Sequence, residues 1–119
     1  MKQKSVLIVD SDESILETLS RILQKSGYAT DIARNGKEAF TKTLSHPCNA
    51  AIIEVDLPDG DGTELLLKLS KTNPSLVKIV LTDNPEFLLK PSSKGADAYL
   101  VKPVNPTRLL SFLNEKLGR

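Results

Sequence analysis

The chain has 119 residues, 39% hydrophobic and 26% charged, which is enough to form the core of one soluble globular domain. Sixteen lysines and arginines against fifteen aspartates and glutamates leave a net charge of +1, which argues against a dedicated nucleic-acid-binding domain. The single cysteine excludes an internal disulfide. The absence of any stretch near the roughly 20 apolar residues of a membrane span, and of a signal peptide, predicts a cytoplasmic protein.

The first unit of the chain is a strand followed by a helix. Residues 6–9 form a continuous apolar run, which is typical of a strand buried on both faces. The apolar residues that follow at helical spacing are Ile15, Leu16, Leu19, Ile22 and Leu23. Either Ser11 or Asp12 would cap this helix, and Gly27 stands where a helix commonly ends.

The next two units repeat the pattern. Residues 28–33 predict a second strand, and a turn at Asn35-Gly36 leads into a helix over 37–44. The inward residues of this helix are predicted to be Ala39, Phe40 and Leu44. Residues 50–55 predict a third strand, and 57–62 predict a loop because they are rich in turn formers.

The second half of the chain continues the alternation. A helix over 63–71 is predicted to turn Leu65, Leu66 and Leu69 inward, and a fourth strand is predicted over 77–81. Asn84 and Pro85 would open a short helix that Pro91 stops. Residues 98–101 predict a fifth strand, and the last helix begins at Pro106 or Thr107. The inner stripe of the last helix is predicted to be Leu109, Leu110, Leu113 and Leu117.

Five alternations of strand and helix predict an α/β fold with one parallel sheet. Helices would cover both faces of the sheet and be joined to it by right-handed crossovers. The sequence shows no linker and no internal repeat, so we expect a single domain over residues 1–119.

Polar residues follow four of the five predicted strands. They are Asp10, Ser11 and Asp12 after the first, Glu54 and Asp56 at the third, Thr82 and Asp83 at the fourth, and Lys102 at the fifth. Sites in open parallel sheets form outside the carboxyl ends of the strands. Carboxylates suit Mg²⁺, and a hydroxyl with an ammonium suits the oxygens of a transferred phosphoryl group. Any one of these residues also fits a simple capping or pairing role, but the set favours a functional site.

Several motifs in this order and spacing resemble one known family over essentially the whole chain. They are VLIVD at 6–10, IEVDLP at 53–58, DG at 61–62, VLT at 80–82 and YLVKP at 99–103. The chain resembles the receiver domain of two-component response regulators. The resemblance implies a flavodoxin-like, doubly wound, five-stranded parallel sheet in the order 2-1-3-4-5, with a cis peptide bond at Lys102-Pro103.

The resemblance also implies roles for individual residues. In active receivers, an aspartate at the end of the third strand accepts a phosphoryl group from a histidine kinase, and two acids after the first strand help to hold Mg²⁺. Asp10 matches the first of these acids. Thr82 and Lys102 match the residues that bind the phosphoryl oxygens, and Tyr99 matches an aromatic residue that moves in response. Tyr99 also fits a plain, partly buried strand aromatic.

Two positions depart from the family pattern at the site itself. The phosphoacceptor position holds Glu54, and the second acid is replaced by Ser11. Glutamate adds one methylene, about 1.5 Å of reach, and a displacement near 1 Å can cost phosphoryl transfer about a hundredfold. We therefore expect poor phosphorylation of Glu54. The metal position, formed by Asp10, Ser11, Glu54 and Asp56, should bind Mg²⁺ weakly.

These departures favour a pseudo-receiver, a signalling module that works without phosphorylation at the usual position. The longer Glu54 carboxylate would approach Thr82 and Lys102 and imitate part of the charge of a phosphoaspartate. Such a module is not an enzyme. Its partner would be a histidine kinase or another signalling protein, with no direct contact to nucleic acid or membrane. The alternative is a phosphorelay receiver with a substitute acceptor, either Asp56 or Asp10.

An enzyme on the same scaffold has less support. The sequence has no Gly-x-Gly-x-x-Gly after the first strand and no phosphate-binding loop, and His46 and Cys48 lie away from the proposed site. On the expected output face, Lys90, Lys94 and Arg108 fit a solvated surface. The segment around Pro91 is shorter than usual for the family, which predicts a monomer or an unusual dimer.

Overall fold

A computed structural model describes residues 3–86 and 95–118. The secondary structure of this part, in chain order, is β1 (Ser5–Val9), α1 (Glu13–Lys25), β2 (Ala29–Ala33), α2 (Gly36–Ser45), β3 (Ala50–Glu54), β4 (Asp56–Leu57), β5 (Gly60–Asp61), α3 (Gly62–Thr72), β6 (Val77–Thr82), β7 (Ala98–Val101) and α4 (Pro106–Lys116). Four of the five predicted strand–helix units are therefore present, and most of the helix predicted between β6 and β7 lies outside the described residues. Among the described residues, no helix has the length and apolar character needed to cross a membrane.

Five parallel strands form the sheet, in the order β2-β1-β3-β6-β7. Val9 is opposite both Ala33 and Ile53, and Thr82 is opposite Val101. If only the strands of this sheet are counted, the order is 2-1-3-4-5, as the family resemblance implied. Because all five strands run in one direction, their carboxyl ends meet at one edge of the sheet.

Alternating side chains of the strands point into two separate hydrophobic cores. Val9, Ile53 and Val80 belong to the core that α2 and α3 cover. Ile8, Ile52 and Ile79 belong to the other core, which α1 and α4 cover. Strands buried on both faces explain why the sequence has continuous apolar runs in place of alternation. The prediction of helices on both faces is confirmed.

Helix ends follow the capping residues of the sequence. Asp12, and not Ser11, caps α1 by accepting the Ser14 N–H at 2.9 Å. Gly27 follows the end of α1 with a φ of 92°, a left-handed conformation that favours glycine. The last helix begins at Pro106, whose missing N–H costs nothing at that position.

Three details of the prediction need correction or lie outside the described part of the chain. Leu44 was predicted to face inward, yet it is 65% exposed, because it lies about 1.4 turns beyond buried Ala39 and has rotated off the core face. Residues 57–62 were predicted as a loop, but β4 and β5 pair antiparallel across them. Most of the short helix expected after Asn84, with Pro91, Lys90 and Lys94, lies outside the described residues.

Strand β2 is one edge of the sheet, and side chains occupy part of its outer backbone. The Ile32 N–H donates to Asp31 Oδ1 at 2.8 Å, and the Ile32 carbonyl accepts from Lys42 Nζ at 2.6 Å. Lys42 also forms an ion pair with Asp31 at 2.9 Å. Both backbone groups of Ile32 are therefore bonded within the chain.

Candidate functional site

Lys102 stands between two buried carboxylates at the carboxyl edge of the sheet. Its ammonium lies 3.1 Å from Asp10 Oδ2 and forms an ion pair with Glu54 Oε2. The side chains of Asp10 and Glu54 are only 2% and 4% exposed, and that of Lys102 is 15% exposed. The ends of β1, β3 and β7 thus bring together three of the residues that the sequence singled out.

Both carboxylate oxygens and the backbone N–H of Asp10 form hydrogen bonds. Its Oδ1 accepts the Asp12 N–H at 2.9 Å, and its Oδ2 faces Lys102. Its own N–H donates to the Ala33 carbonyl at 3.0 Å, which continues the pairing of β1 with β2. Ser11, next along the chain, is exposed.

Glu54 and Lys102 affect each other's ionisation. Burial raises the pKa of Glu54, and the nearby charge of Asp10 adds to this effect. The contact with Lys102 and the Asp56 N–H, 3.2 Å from Glu54 Oε1, oppose the increase without cancelling it. Burial by itself lowers the pKa of Lys102, but its bonds to Glu54 and Asp10 outweigh burial and raise that pKa.

Gly62 allows α3 to begin directly against the end of β3. Its N–H donates to the Val55 carbonyl at 2.7 Å. A Cβ at this position would lie 2.2 Å from the Glu54 carbonyl oxygen, closer than real contacts allow. The absence of a side chain at residue 62 therefore lets the backbone fold closely around Glu54.

Thr82 is buried at the end of β6, and its hydroxyl is part of a local turn. The hydroxyl donates to the Asn84 carbonyl at 3.1 Å and accepts the Asn84 N–H at 3.0 Å. The Thr82 carbonyl accepts the Lys102 N–H at 2.9 Å, so β6 helps to place Lys102. The expected approach of Glu54 is therefore present at Lys102, whereas the Thr82 hydroxyl bonds to the backbone of Asn84.

β7 and the residues directly after it show two further features named in the sequence analysis. The peptide bond between Lys102 and Pro103 is cis, as the resemblance implied. Tyr99 is partly buried against the core that α2 and α3 cover. Its proposed switching role stays a prediction.

Three carboxylates form what we call the acidic cluster: Glu54, Asp56 and Asp83. One oxygen of each lies within 4.8 Å of the other two, and Asp56 and Asp83 are exposed. Carboxylate oxygens beside open solvent fit Mg²⁺, which usually takes one or two carboxylates and keeps several waters. Sequence reasoning placed Asp83 at a strand end but not among the metal ligands. Its position directly after Thr82 was the available signal.

A cleft adjoins the site on the side of α1. Its volume is about 420 Å³, and Lys102 and Asp83 lie beside mainly apolar neighbours. These neighbours include Ile15, Leu19, Ile22, Pro103, Val104 and Pro106. The charged residues at the carboxyl ends of the strands therefore adjoin an apolar surface.

Comparison with known proteins agrees with this arrangement. Residues 6–114 match the response regulator receiver domain family. The chain belongs to that family. The resemblance seen in the sequence is thus confirmed, and the chain is a receiver domain of the two-component response regulators.

Individual relatives share both sequence and fold with the chain. Response regulator MprA of Mycolicibacterium vanbaalenii is 34% identical over 116 residues, which are 96% of this chain and 50% of that protein. The chain thus spans about half the length of the curated relatives it matches. A CheY-like response regulator receiver domain protein of Methanospirillum hungatei is 40% identical with a TM-score of 0.91, over 98% of this chain and 95% of that one.

A second solved relative carries a metal. Response regulator TrrA of Thermotoga maritima, in complex with Mg²⁺ and BeF, is 32% identical with a TM-score of 0.91. The alignment covers 96% of this chain and 99% of that one. These structures confirm the flavodoxin-like fold of the chain.

Proposed function

We propose that this chain is a pseudo-receiver, which signals through protein contacts and is not phosphorylated at Glu54. The buried ion pair between Glu54 and Lys102 carries this proposal. The extra methylene of glutamate lets the carboxylate reach the ammonium that, in active receivers, binds phosphoryl oxygens. Lys102 thereby has a permanent anionic partner, and the site holds a fixed charge arrangement without a phosphoryl group.

The same contacts support weak Mg²⁺ binding. Both carboxylate oxygens of Asp10 already accept hydrogen bonds, and the Glu54 carboxylate forms an ion pair with Lys102. Two of the three carboxylates of the acidic cluster, Asp56 and Asp83, are exposed to solvent. Mg²⁺, when bound to this cluster, supplies positive charge that offsets the oxygens of the site.

The proposal includes an organisation and a partner. Residues 1–119 form one receiver domain that works in the cytoplasm and has no catalytic activity of its own. Its partner is a histidine kinase or another signalling protein, and Tyr99 is the residue that responds to binding. The apolar cleft beside Lys102 supports protein contact near the site, because a mixed apolar and charged surface suits a protein partner.

A second candidate keeps the phosphorelay, with Asp56 as the acceptor. Its carboxylate is exposed and lies in the acidic cluster beside Glu54, so a phosphodonor can approach it. Asp10 is less suited to this role, because it is 2% exposed and both its oxygens are bonded.

Intact-mass spectrometry after incubation with Mg²⁺ and acetyl phosphate tests the proposal. We expect the wild-type chain to stay unmodified, because Glu54 is held against Lys102 and its reactive atoms are misplaced by the longer side chain. The double variant Ser11→Asp, Glu54→Asp restores the family pattern and should gain one phosphoryl group.

The matched control is Asp56→Asn. Stoichiometric labelling of the wild type that disappears in Asp56→Asn would overturn the pseudo-receiver proposal and support the second candidate. An unlabelled double variant would contradict the explanation that Ser11 and Glu54 silence the site.

A further inference from the structure

Asp59 joins the hairpin of β4 and β5 to the beginning of α2. Its Oδ1 accepts the Gly36 N–H at 2.8 Å, and its Oδ2 accepts the Lys37 N–H at 2.9 Å. These are the first two residues of α2, whose N–H groups have no partner within the helix. Asn35 caps the same helix end by accepting the Glu38 N–H at 2.7 Å. The hairpin thus supplies bonds that the local cap does not.

Charge favours this contact. A helix N-terminus carries partial positive charge, which stabilises a nearby carboxylate. The bonds from Gly36 and Lys37 hold the pKa of Asp59 below its ordinary value, and the charge of Lys68 adds to this effect. More than twenty residues separate Asp59 from its two donors, so the contact connects two distinct elements.

The hairpin of β4 and β5 is short, so its turn lies close to the acidic cluster along the chain. Asp56 pairs with Asp61, and Leu57 pairs with Gly60. Leu57 is buried in the core that α2 and α3 cover. The Asp56 N–H donates to Glu54 Oε1 at 3.2 Å. Only Leu57 and Pro58 separate Asp56 from Asp59 along the chain.

We propose that Asp59 is a positioning residue, which ties the hairpin to α2 and thereby sets the place of Asp56 in the acidic cluster. The side chain of Asp59 holds the N-terminus of α2, and the hairpin extends from that anchor to the cluster. One of the two readouts below rests on the proposed Mg²⁺ binding, and the other does not.

Amide NMR of the full chain tests the proposal with three variants. In Asp59→Ala we expect faster hydrogen exchange at Gly36, Lys37 and Asp56, because the hairpin loses its anchor. Titration with Mg²⁺ should give a dissociation constant about tenfold weaker, the lower end of what loss of supporting contacts costs metal sites. Asp59→Asn keeps one acceptor oxygen and should fall between Asp59→Ala and the wild type.

Asn35→Ala is the matched control, because it removes a cap from the same helix end without touching the hairpin. It should increase exchange at the Glu38 amide and leave both the Asp56 amide and the Mg²⁺ affinity as in the wild type.

Two results would overturn the proposal. One is an unchanged Asp56 amide in Asp59→Ala, and the other is an equal effect of Asn35→Ala on Asp56. If the wild type shows no Mg²⁺ binding, the proposed cation binding fails, and the exchange of the Asp56 amide alone decides the role of Asp59.

Discussion

At the scale of single residues, Lys102 is the cation that both buried carboxylates of the site contact. It supplies the positive charge that faces both Asp10 and Glu54, and all three side chains are largely removed from water. A buried ion pair adds little net stability compared with apolar residues, but removing one partner leaves an uncompensated charge. Loss of the Lys102 ammonium would therefore leave Asp10 and Glu54 as uncompensated buried charges.

Lys102→Met should destabilise the fold by about 3–5 kcal/mol, because two buried carboxylates lose their cation. Urea unfolding measures this change. The double variant Lys102→Met, Glu54→Gln should recover part of the loss, since one of the buried charges is gone. Lys71→Met, at an exposed position of α3, is the control and should change stability by less than about 0.5 kcal/mol. Equal stabilities for Lys102→Met and Lys71→Met would contradict the assigned role.

The same lysine predicts a pH dependence. The pKa of Lys102 is raised above its ordinary value of 10.5, so the folded chain holds this proton more tightly than the unfolded chain. Its contribution to stability is therefore fully present below pH 10.5 and is lost as the pH rises through the raised pKa. Wild-type stability should fall in this alkaline range more steeply than that of Lys102→Met.

The sequence predicted the meeting of Asp10, Glu54 and Lys102, because the carboxyl ends of parallel strands share one edge. It did not predict which groups the Thr82 hydroxyl would bond, since that depends on the path of the chain through Asn84. The place of Asp83 in the acidic cluster depends on the same turn. Strand ends are set by the sheet, whereas side chains on the following loops are set by local backbone angles.

At the scale of elements, the passage from β3 to α3 leaves no room for a side chain at residue 62. Gly62→Ala should destabilise the fold by about 1–3 kcal/mol, since the new Cβ would press on the Glu54 carbonyl. Thermal unfolding measures the loss. Gly36→Ala is the control, because its Cβ would lie 3.4 Å from Asp59 Oδ1, an ordinary contact, and should be neutral or slightly stabilising.

Predicted strand bounds agree with the structure to within about one residue, because buried strands are marked by continuous apolar runs. The pairing of β4 with β5 escaped prediction, since two-residue strands show no periodicity and the same turn formers also fit a loop. Leu44 was misassigned because only Ala39 among the residues of α2 is fully buried, so an apolar residue on this helix need not face the core.

At the scale of the whole molecule, the two cores hold the helices against opposite faces of the sheet. Two adjacent leucines of α3 differ in burial although the residue type is the same. Leu66 is fully buried, whereas Leu67 is 51% exposed. Leu66→Ala should cost about 2–5 kcal/mol, and Leu67→Ala less than about 0.5 kcal/mol. Urea unfolding of both variants checks this, and similar losses would contradict the described orientation of α3.

The hydrogen bonds at the outer edge of β2 affect whether another molecule can pair with the sheet. An uncovered strand margin invites a strand of another molecule to extend the sheet, a common route to aggregation. Here an incoming strand would have to break the bonds of Ile32 to Asp31 and Lys42 before it could form its own at that residue. The lysine would also lose its acidic neighbour. The β2 edge thus resists lateral extension of the sheet by a strand of another molecule.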